Sequence, residues 1–362
     1  MENIISLNTI CKKLQFDGPI IKYEILHGGN INTTYHVTCA GKNGNKEYLL
    51  QRVNKNVFKK PNEVMQNIIS VTEFINNKPH GDFCALRFYK SVNGDAYIVD
   101  ENGDYWRARE FIDCVCFDYT DNLSVIEEAG VAFGEFQYLL DGFNASTLYE
   151  TIPNFHNTIN RYLNFEESVL NAILERKAES VNEIEFLLKY KEKACALENM
   201  YLDGFIPLRV THNDTKCNNV IFNKNTLKAL AVIDLDTIMP GLSAYDFGDG
   251  ARSISCTTLE DEHDLTKVKF DLTRFEAFTK GYLSHLSKIL SKNEIESLSN
   301  GVFSMTIELA SRFLADYLDG DTYFKTTYNK QNLFRARCQI ALCKDILAKE
   351  DKIKEIINKY SV

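Results

Sequence analysis

His212-Asn213-Asp214-Thr215-Lys216-Cys217-Asn218-Asn219 lies between two apolar runs. The first is residues 208–210. The second is Val220-Ile221-Phe222, followed by a turn at 223–226 and a further strand pattern over 229–233 that ends at Asp234. A hairpin of this kind returns the chain on itself. Asp234 is therefore expected to lie close to Asn219 and to the loop that holds Asp214. Asp and Asn in isolation mostly cap turns. Here three oxygen-bearing side chains converge at one end of a rigid hairpin, and Pro240-Gly241 and Asp246-Phe247-Gly248-Asp249 follow. That context favours chemistry over capping.

The chemistry such a cluster suits is phosphoryl transfer. Magnesium is a hard cation that takes oxygen ligands, few of them from protein when phosphates supply the rest. Asn219 and Asp234 are the expected metal ligands. Asp214 is the carboxylate expected to position an attacking hydroxyl.

Outward from this stretch, the first third of the chain reads as strands around one helix. Residues 20–26, 34–39 and 47–53 form a meander, and Pro61 opens a helical pattern with Val64, Ile68, Val71 and Ile75 on one face. Residues 86–90 and 96–99 return to strand, and Glu101-Asn102-Gly103-Asp104 turns the chain into a strand over 105–112. Beyond the irregular residues 113–122 the pattern is mainly helical. Ser124-x-x-Glu127 reads as a capping box, and helices are expected over 165–178, 181–201, 272–290 and 302–318. The expected fold is α+β in two lobes. An amino-terminal antiparallel sheet lobe with one helix spans 1–112, and a larger helical lobe spans 113–362. Trp106 is expected in the core of the first.

Composition narrows the function classes. The 362 residues carry 41 Lys+Arg against 50 Asp+Glu, a net charge of −9, which argues against a broad nucleic-acid footprint. No stretch is apolar enough to span a bilayer, and the amino terminus lacks a signal-peptide pattern. The expectation is a cytoplasmic protein with no membrane partner. The 10 Cys are scattered without zinc spacing, so neither a structural zinc nor disulfides are expected.

Five segments resemble the aminoglycoside phosphotransferase/choline kinase superfamily. They are Arg209-Val210-Thr211-His212-Asn213-Asp214-Thr215-Lys216, Val232-Ile233-Asp234-Leu235-Asp236-Thr237-Ile238-Met239-Pro240-Gly241, Asn30-Ile31-Asn32-Thr33-Thr34-Tyr35, Tyr48-Leu49-Leu50-Gln51-Arg52-Val53-Asn54 and Arg312-Phe313-Leu314-Ala315-Asp316-Tyr317-Leu318. Within it the chain is most similar to N-acetylhexosamine 1-kinases. The resemblance runs from about residue 15 to about residue 345 and implies a two-lobed protein-kinase-like fold. It also implies ATP as co-substrate, Mg²⁺ as cofactor, Asp214 as catalytic base and Asn219 and Asp234 as magnesium ligands. The expected reaction is phosphorylation of the anomeric C1 hydroxyl of an N-acetylhexosamine. A kinase of the same fold for an aminoglycoside, choline or homoserine is the first alternative. A catalytically silent nucleotide-binding module is the second.

The nucleotide is expected against residues 27–35, where Gly28 and Gly29 let backbone approach phosphates and Asn32, Thr33 and Thr34 supply donors. Glu110 and Ile112 are expected to offer backbone to the adenine edge. No Lys stands on the third strand, so Arg52 is the candidate phosphate cation, although alternation lets only one of Gln51 and Arg52 face the cleft. For the acceptor, Asp214, Asp236, Arg312, Tyr323 and Arg337 are the candidates. An intrahelical ion pair between Arg312 and Asp316 is the competing reading of that helix. Asp246 is read as structural, and Phe155-His156 as a packed corner.

Overall fold

The computed structural model describes residues 4–26, 31–79, 83 and 85–361. The glycine pair at 28–29 therefore lies outside the described residues. Helix α1 (Ile4–Lys13), additional to the expected elements, precedes a five-stranded antiparallel sheet. Its strands are β1 (Ile20–Leu26), β2 (Thr33–Gly41), β3 (Gly44–Val53), β4 (Ile98–Val99) and β5 (Tyr105–Glu110), in the order β1-β2-β3-β5-β4. Helix α2 (Pro61–Asn76) starts at its proline as expected and buries Val64, Ile68, Val71 and Ile75.

Alternation divides the sheet's side chains between two cores. Tyr35, Val37, Tyr48, Leu50 and Trp106 join Leu7, Ile10 and Cys11 of α1, and Leu14 just after it, in one cluster. Val53 and the buried face of α2 belong to a second cluster that continues into the helical part. The strand expected over 86–90 shrinks to a single bridge, Phe88 to Arg109, with Tyr89 N donating to the Ala108 carbonyl. β4 takes the edge position instead.

The helical part contains α3 (Leu123–Leu139), α4 (Thr158–Asn171), α5 (Leu174–Glu179), α6 (Val181–Lys189), α7 (Lys191–Ala194) and α8 (Ala196–Leu202). Next come β6 (Arg209–Thr211), the hairpin β7 (Val220–Phe222) and β8 (Ala229–Val232), and β9 (Met239–Gly241). Helices α9 (Ser243–Ser255), α10 (Leu272–Leu286), α11 (Lys292–Leu318), α12 (Gln331–Ala348) and α13 (Glu350–Lys359) complete the chain. The helix expected over 165–178 begins earlier and breaks at Ala172, which is extended. The one expected over 181–201 is three short helices.

The capping box read at Ser124 is not formed. Asn122 caps α3 by accepting from Ser124 N, and Glu127 pairs with Lys280 at 2.8 Å. No helix among the described residues is long and apolar enough to cross a membrane. The nine described cysteines are free thiols, and all but Cys114 and Cys116 are buried.

Helices α3 and α10 cross at backbone contact. A Cβ on Gly130 would meet the Phe278 carbonyl oxygen at 2.3 Å, and one on Gly281 would meet that of Glu127 at 2.0 Å. Neither obstacle is a flexible side-chain tip, so the helices themselves must move apart. Gly130→Ala is expected to destabilise the protein by about 1–3 kcal/mol, the usual range for overpacking, read as a lowered urea midpoint. An unchanged midpoint would mean that the helices do not pack this closely.

Candidate active site

β6 delivers the chain into a loop that ends in a 3₁₀ turn at Cys217–Asn219, and the β7–β8 hairpin brings it back. Ile233 N donates to the Asn219 carbonyl at 2.8 Å, closing the hairpin base. Asp234 then takes the left-handed conformation, φ +59°, and turns the chain into β9, which pairs with β6. Asp214, Asn219 and Asp234 are thus brought together as expected. The Asn219 amide donates to both the carbonyl oxygen (2.8 Å) and Oδ2 (2.9 Å) of Asp214, which leaves Asn219 Oδ1 as an acceptor.

The loop is held from below. Asp246, on α9, accepts from His212 N and Asn213 N, both at 2.8 Å, and from the Gln137 amide at 2.6 Å. Its structural reading agrees with these contacts. Asp249 accepts from Thr215 N at 3.0 Å. His212 Nε2 donates to the Ile233 carbonyl at 2.9 Å, and its Nδ1 accepts from Asp214 N at 3.2 Å.

The charges at the loop are unbalanced in a way that suits a cation. No hydrogen bond reaches the Asp234 carboxylate from the described residues. It meets solvent yet sits deep among protein atoms, and this desolvation, with Asp236 and Asp214 nearby, pushes its pKa up to about 6. A divalent ion would relieve that repulsion. Lys216 Nζ lies 2.8 Å from Asp214 Oδ1. Burial opposes its charge, but Asp214 and Asp249 outweigh burial and raise its pKa.

Asp236 faces the sheet. It is buried in an ion pair with Arg107, whose Nη1 and Nη2 both donate to it, the latter at 3.1 Å, and Asn32 donates to its Oδ2 at 2.6 Å. Arg107 Nε donates to Gln51 Oε1 at 3.0 Å, and Gln51 donates to Thr34 Oγ1 at 3.1 Å. Asn32 and Thr34 are therefore linked to the hairpin through these side chains. Arg52 is not. Its guanidinium packs 5.8 Å from the Trp106 ring centroid and 3.7 Å from Asp104, on the sheet's other face with Thr33 as its strand partner. The strand cation that pairs with Asp236 is Arg107, which sequence reasoning missed. Its signal was the register of β5 against β3, which sets Arg107 opposite Gln51.

Glu110 ends β5 exposed, and Ile112 packs partly on the core. Just beyond them Val115 exchanges backbone hydrogen bonds with Phe222 at 3.0 and 2.9 Å, tying this connection to β7.

Of the acceptor candidates on the helices, Arg312 sits between the Phe155 and Phe324 rings, 5.5 and 5.6 Å from their centroids. Its acidic neighbour is Glu308 at 3.6 Å, not Asp316. Asp316 instead accepts the backbone N–H groups of Thr322, Tyr323 and Phe324, so the expected intrahelical pair is absent. Tyr323 is 71% exposed beside Phe324. Arg337 is not brought to the site. It pairs with Glu183 at 2.9 Å and donates to the Glu179 carbonyl.

His156 is more than a packed corner. Its Nδ1 faces the Glu308 carboxylate at 3.1 and 3.3 Å, and its Nε2 faces the Asn213 carbonyl oxygen at 3.1 Å. Both partners are acceptors only, so both nitrogens must carry protons. Burial opposes that charge, but Glu308 outweighs it and the pKa is raised.

Residues 100–279 match the family model of the phosphotransferase enzyme family. The chain carries a phosphotransferase-family domain. Solved structures extend the likeness to the whole chain. An aminoglycoside phosphotransferase from Alicyclobacillus acidocaldarius superposes with a TM-score of 0.64 at 11% identity, covering 97% of this chain and 96% of that one. A choline kinase from Cryptosporidium parvum gives 0.56 at 15% identity with 99% of each chain covered. A spectinomycin phosphotransferase solved with ADP and spectinomycin gives 0.55 at 12%, covering 98% and 97%. The phosphotransferase fold is thus α+β, with an antiparallel amino-terminal sheet and a larger helical part, as the sequence implied.

The His156 geometry predicts a pH dependence of stability. A pKa raised on folding adds stability that is full below the unfolded value, about 6.5, and is lost as pH rises through the folded value. The charged groups around the ring are Glu308, Arg161, Arg312, Asp249 and Glu198. The parent's stability advantage over His156→Gln is expected to be largest near pH 6 and to shrink toward pH 9 in urea titrations. A gap independent of pH would mean the ring is neutral when folded.

Proposed function

We propose that this protein is an ATP-dependent phosphotransferase acting on the anomeric C1 hydroxyl of an N-acetylhexosamine. The observation that carries the phosphoryl-transfer reading is the convergence of Asp214, Asn219 and Asp234 at the base of one hairpin. Asn219 Oδ1 and the Asp234 carboxylate would hold Mg²⁺, which when bound neutralises phosphate charge. Asp214 accepts the hydrogen bond of the acceptor hydroxyl, aims its oxygen at the γ-phosphorus and takes its proton. Lys216, held beside Asp214, brings positive charge to the same place.

In this reading residues 1–112 carry the nucleotide and residues 113–362 the catalytic loop and acceptor. Asn32 and Thr34 border the phosphates, Thr33 faces away with Arg52, and the backbone of Glu110 and Ile112 meets the adenine edge. Arg107 takes the place first given to Arg52. Arg312, flanked by two aromatic rings, favours a neutral polyol over a cationic acceptor such as choline or an aminoglycoside, whose charge it would repel. Tyr323, beside Phe324 and so next to Arg312, borders the acceptor, while the Asp236 carboxylate is taken up by Arg107 and Asn32.

Asp214→Asn keeps shape but accepts no proton. Turnover is expected to fall about 10²–10⁴-fold, while calorimetry with sugar and a non-hydrolysable ATP analogue shows both still bound. Turnover within a few-fold of the parent would remove Asp214 from the mechanism. ADP release measured across N-acetylglucosamine, N-acetylgalactosamine, choline, homoserine and an aminoglycoside tests the acceptor. The N-acetylhexosamines are expected to be preferred, and Arg312→Ala to raise their KM at least tenfold with that for ATP unchanged. Preference for a cationic acceptor would overturn the sugar assignment and leave the phosphotransfer reading standing.

A further inference from the structure

The connection that follows β5 carries Cys114 and Cys116 on either side of Val115. Val115 is pinned in a strand-like bridge to Phe222 by two backbone hydrogen bonds. Alternation along an extended chain puts its two neighbours on one side, about 6.6 Å apart at Cα. A disulfide spans about 4.4–6.8 Å between such atoms. The two thiols already share a hydrogen bond. Both reach the surface, whereas the other described cysteines are buried.

A buried cation stands beside them. Arg109, near the end of β5, is 8% exposed, and no carboxylate among the described residues pairs with it. Its Nη1 donates to the Glu110 carbonyl at 3.1 Å, a neutral acceptor. Burial pushes the guanidinium down to about 10, and Cys114 is the group that most offsets this. A buried charge without a counter-ion is costly, and a thiolate at Cys114 supplies the anion. The hydrogen bond from Cys116 outweighs burial and, with Arg109, brings the Cys114 thiol down to about 7. Cys116 moves the opposite way, raised by that same hydrogen bond and by burial.

The acids nearby are engaged elsewhere. Asp113 pairs with Lys224, and Asp118 accepts from the Asn218 amide at 3.0 Å. Lys224 itself favours the Cys114 thiolate. Burial pushes other thiols away from reactivity, Cys39 up to about 11 and Cys217 and Cys338 up to about 12. A partly exposed thiolate in a positive setting is the reactive form of cysteine.

We propose that Cys114 and Cys116 form a redox-active dithiol that takes low-molecular-weight disulfides, Cys114 as the nucleophile activated by Arg109 and Cys116 as the thiol that resolves the adduct. The Cys114 thiolate attacks one sulfur of the incoming disulfide, whose S–S bond breaks and releases a thiolate. Cys116 gives its proton to that thiolate and attacks Cys114 Sγ, which expels the second thiolate and closes the Cys114–Cys116 bond. Two cysteine thiols are oxidised and one disulfide is reduced to two thiols. The dithiol lies apart from the Asp214 loop and does not depend on which hydroxyl is phosphorylated.

Treatment of the full chain with glutathione disulfide, followed by iodoacetamide trapping and peptide mass mapping, tests this. The parent peptide that holds Cys114 and Cys116 is expected to lose two hydrogens and to take no alkyl group. Cys116→Ser should instead hold one glutathione on Cys114, and Cys114→Ser should leave Cys116 reduced. Arg109→Gln should slow capture at Cys114 about fivefold or more at pH 7. It removes a buried cation that has no carboxylate partner, so it should melt close to the parent, which separates lost reactivity from lost folding. Cys114 reacting no faster than the buried thiols, a reactive Cys116 in Cys114→Ser, a mixed disulfide that persists in the parent, or an unchanged rate in folded Arg109→Gln would overturn the proposal.

Discussion

The site depends on one buried carboxylate. Asp246 accepts two consecutive backbone N–H groups, those of His212 and Asn213, at the point where β6 ends and the chain must turn. Neither N–H has a strand or helix partner there, and a buried amide without an acceptor is costly. With both satisfied from below, Asn213 can take its left-handed conformation, φ +64°, and the next residue presents Asp214 upward. His156 supports the same turn from its carbonyl side. The loop that carries Asp214 is therefore fixed by groups beneath and behind it.

The hairpin was legible because two short apolar runs flank a polar loop and a turn, and period-two burial needs little help from distant chain. Helix α2 was legible for the same kind of reason, with a proline at its start and apolar residues at helical spacing. What escaped depends on partners far apart in sequence. Whether Arg52 or Gln51 faced the cleft could not be read from β3 alone. The register of β5 decides it, by placing Arg107 beside Gln51 and leaving Arg52 with Trp106. Arg312 and Asp316 had the spacing of a helical pair, but the chain after α11 folds back and gives Asp316 three backbone N–H groups instead. His156 looked like packing because Glu308 lies 152 positions away.

The helical boundaries illustrate a further limit. Periodicity identifies the buried face of a segment but not where it breaks, since the breaks at Ala172, Tyr190 and Cys195 carry neither Gly nor Pro. Packing against α11 continues through these interruptions, so one apolar stripe serves several short helices. Asn122 outcompeted the expected Ser124 cap for a local reason. An Asn side chain two residues before the amide reaches it directly.

The ion pair between Arg107 and Asp236 joins two parts of the chain far apart in sequence. It fastens β5 to the segment just past Asp234, and Asn32 closes over it from the β1–β2 connection. Buried pairs of this kind add little net stability, because the attraction between the charges mostly repays the loss of their hydration. Parting them would return both ions to water and recover that hydration. A firm contact between two distant segments can thus coexist with a modest net contribution to stability.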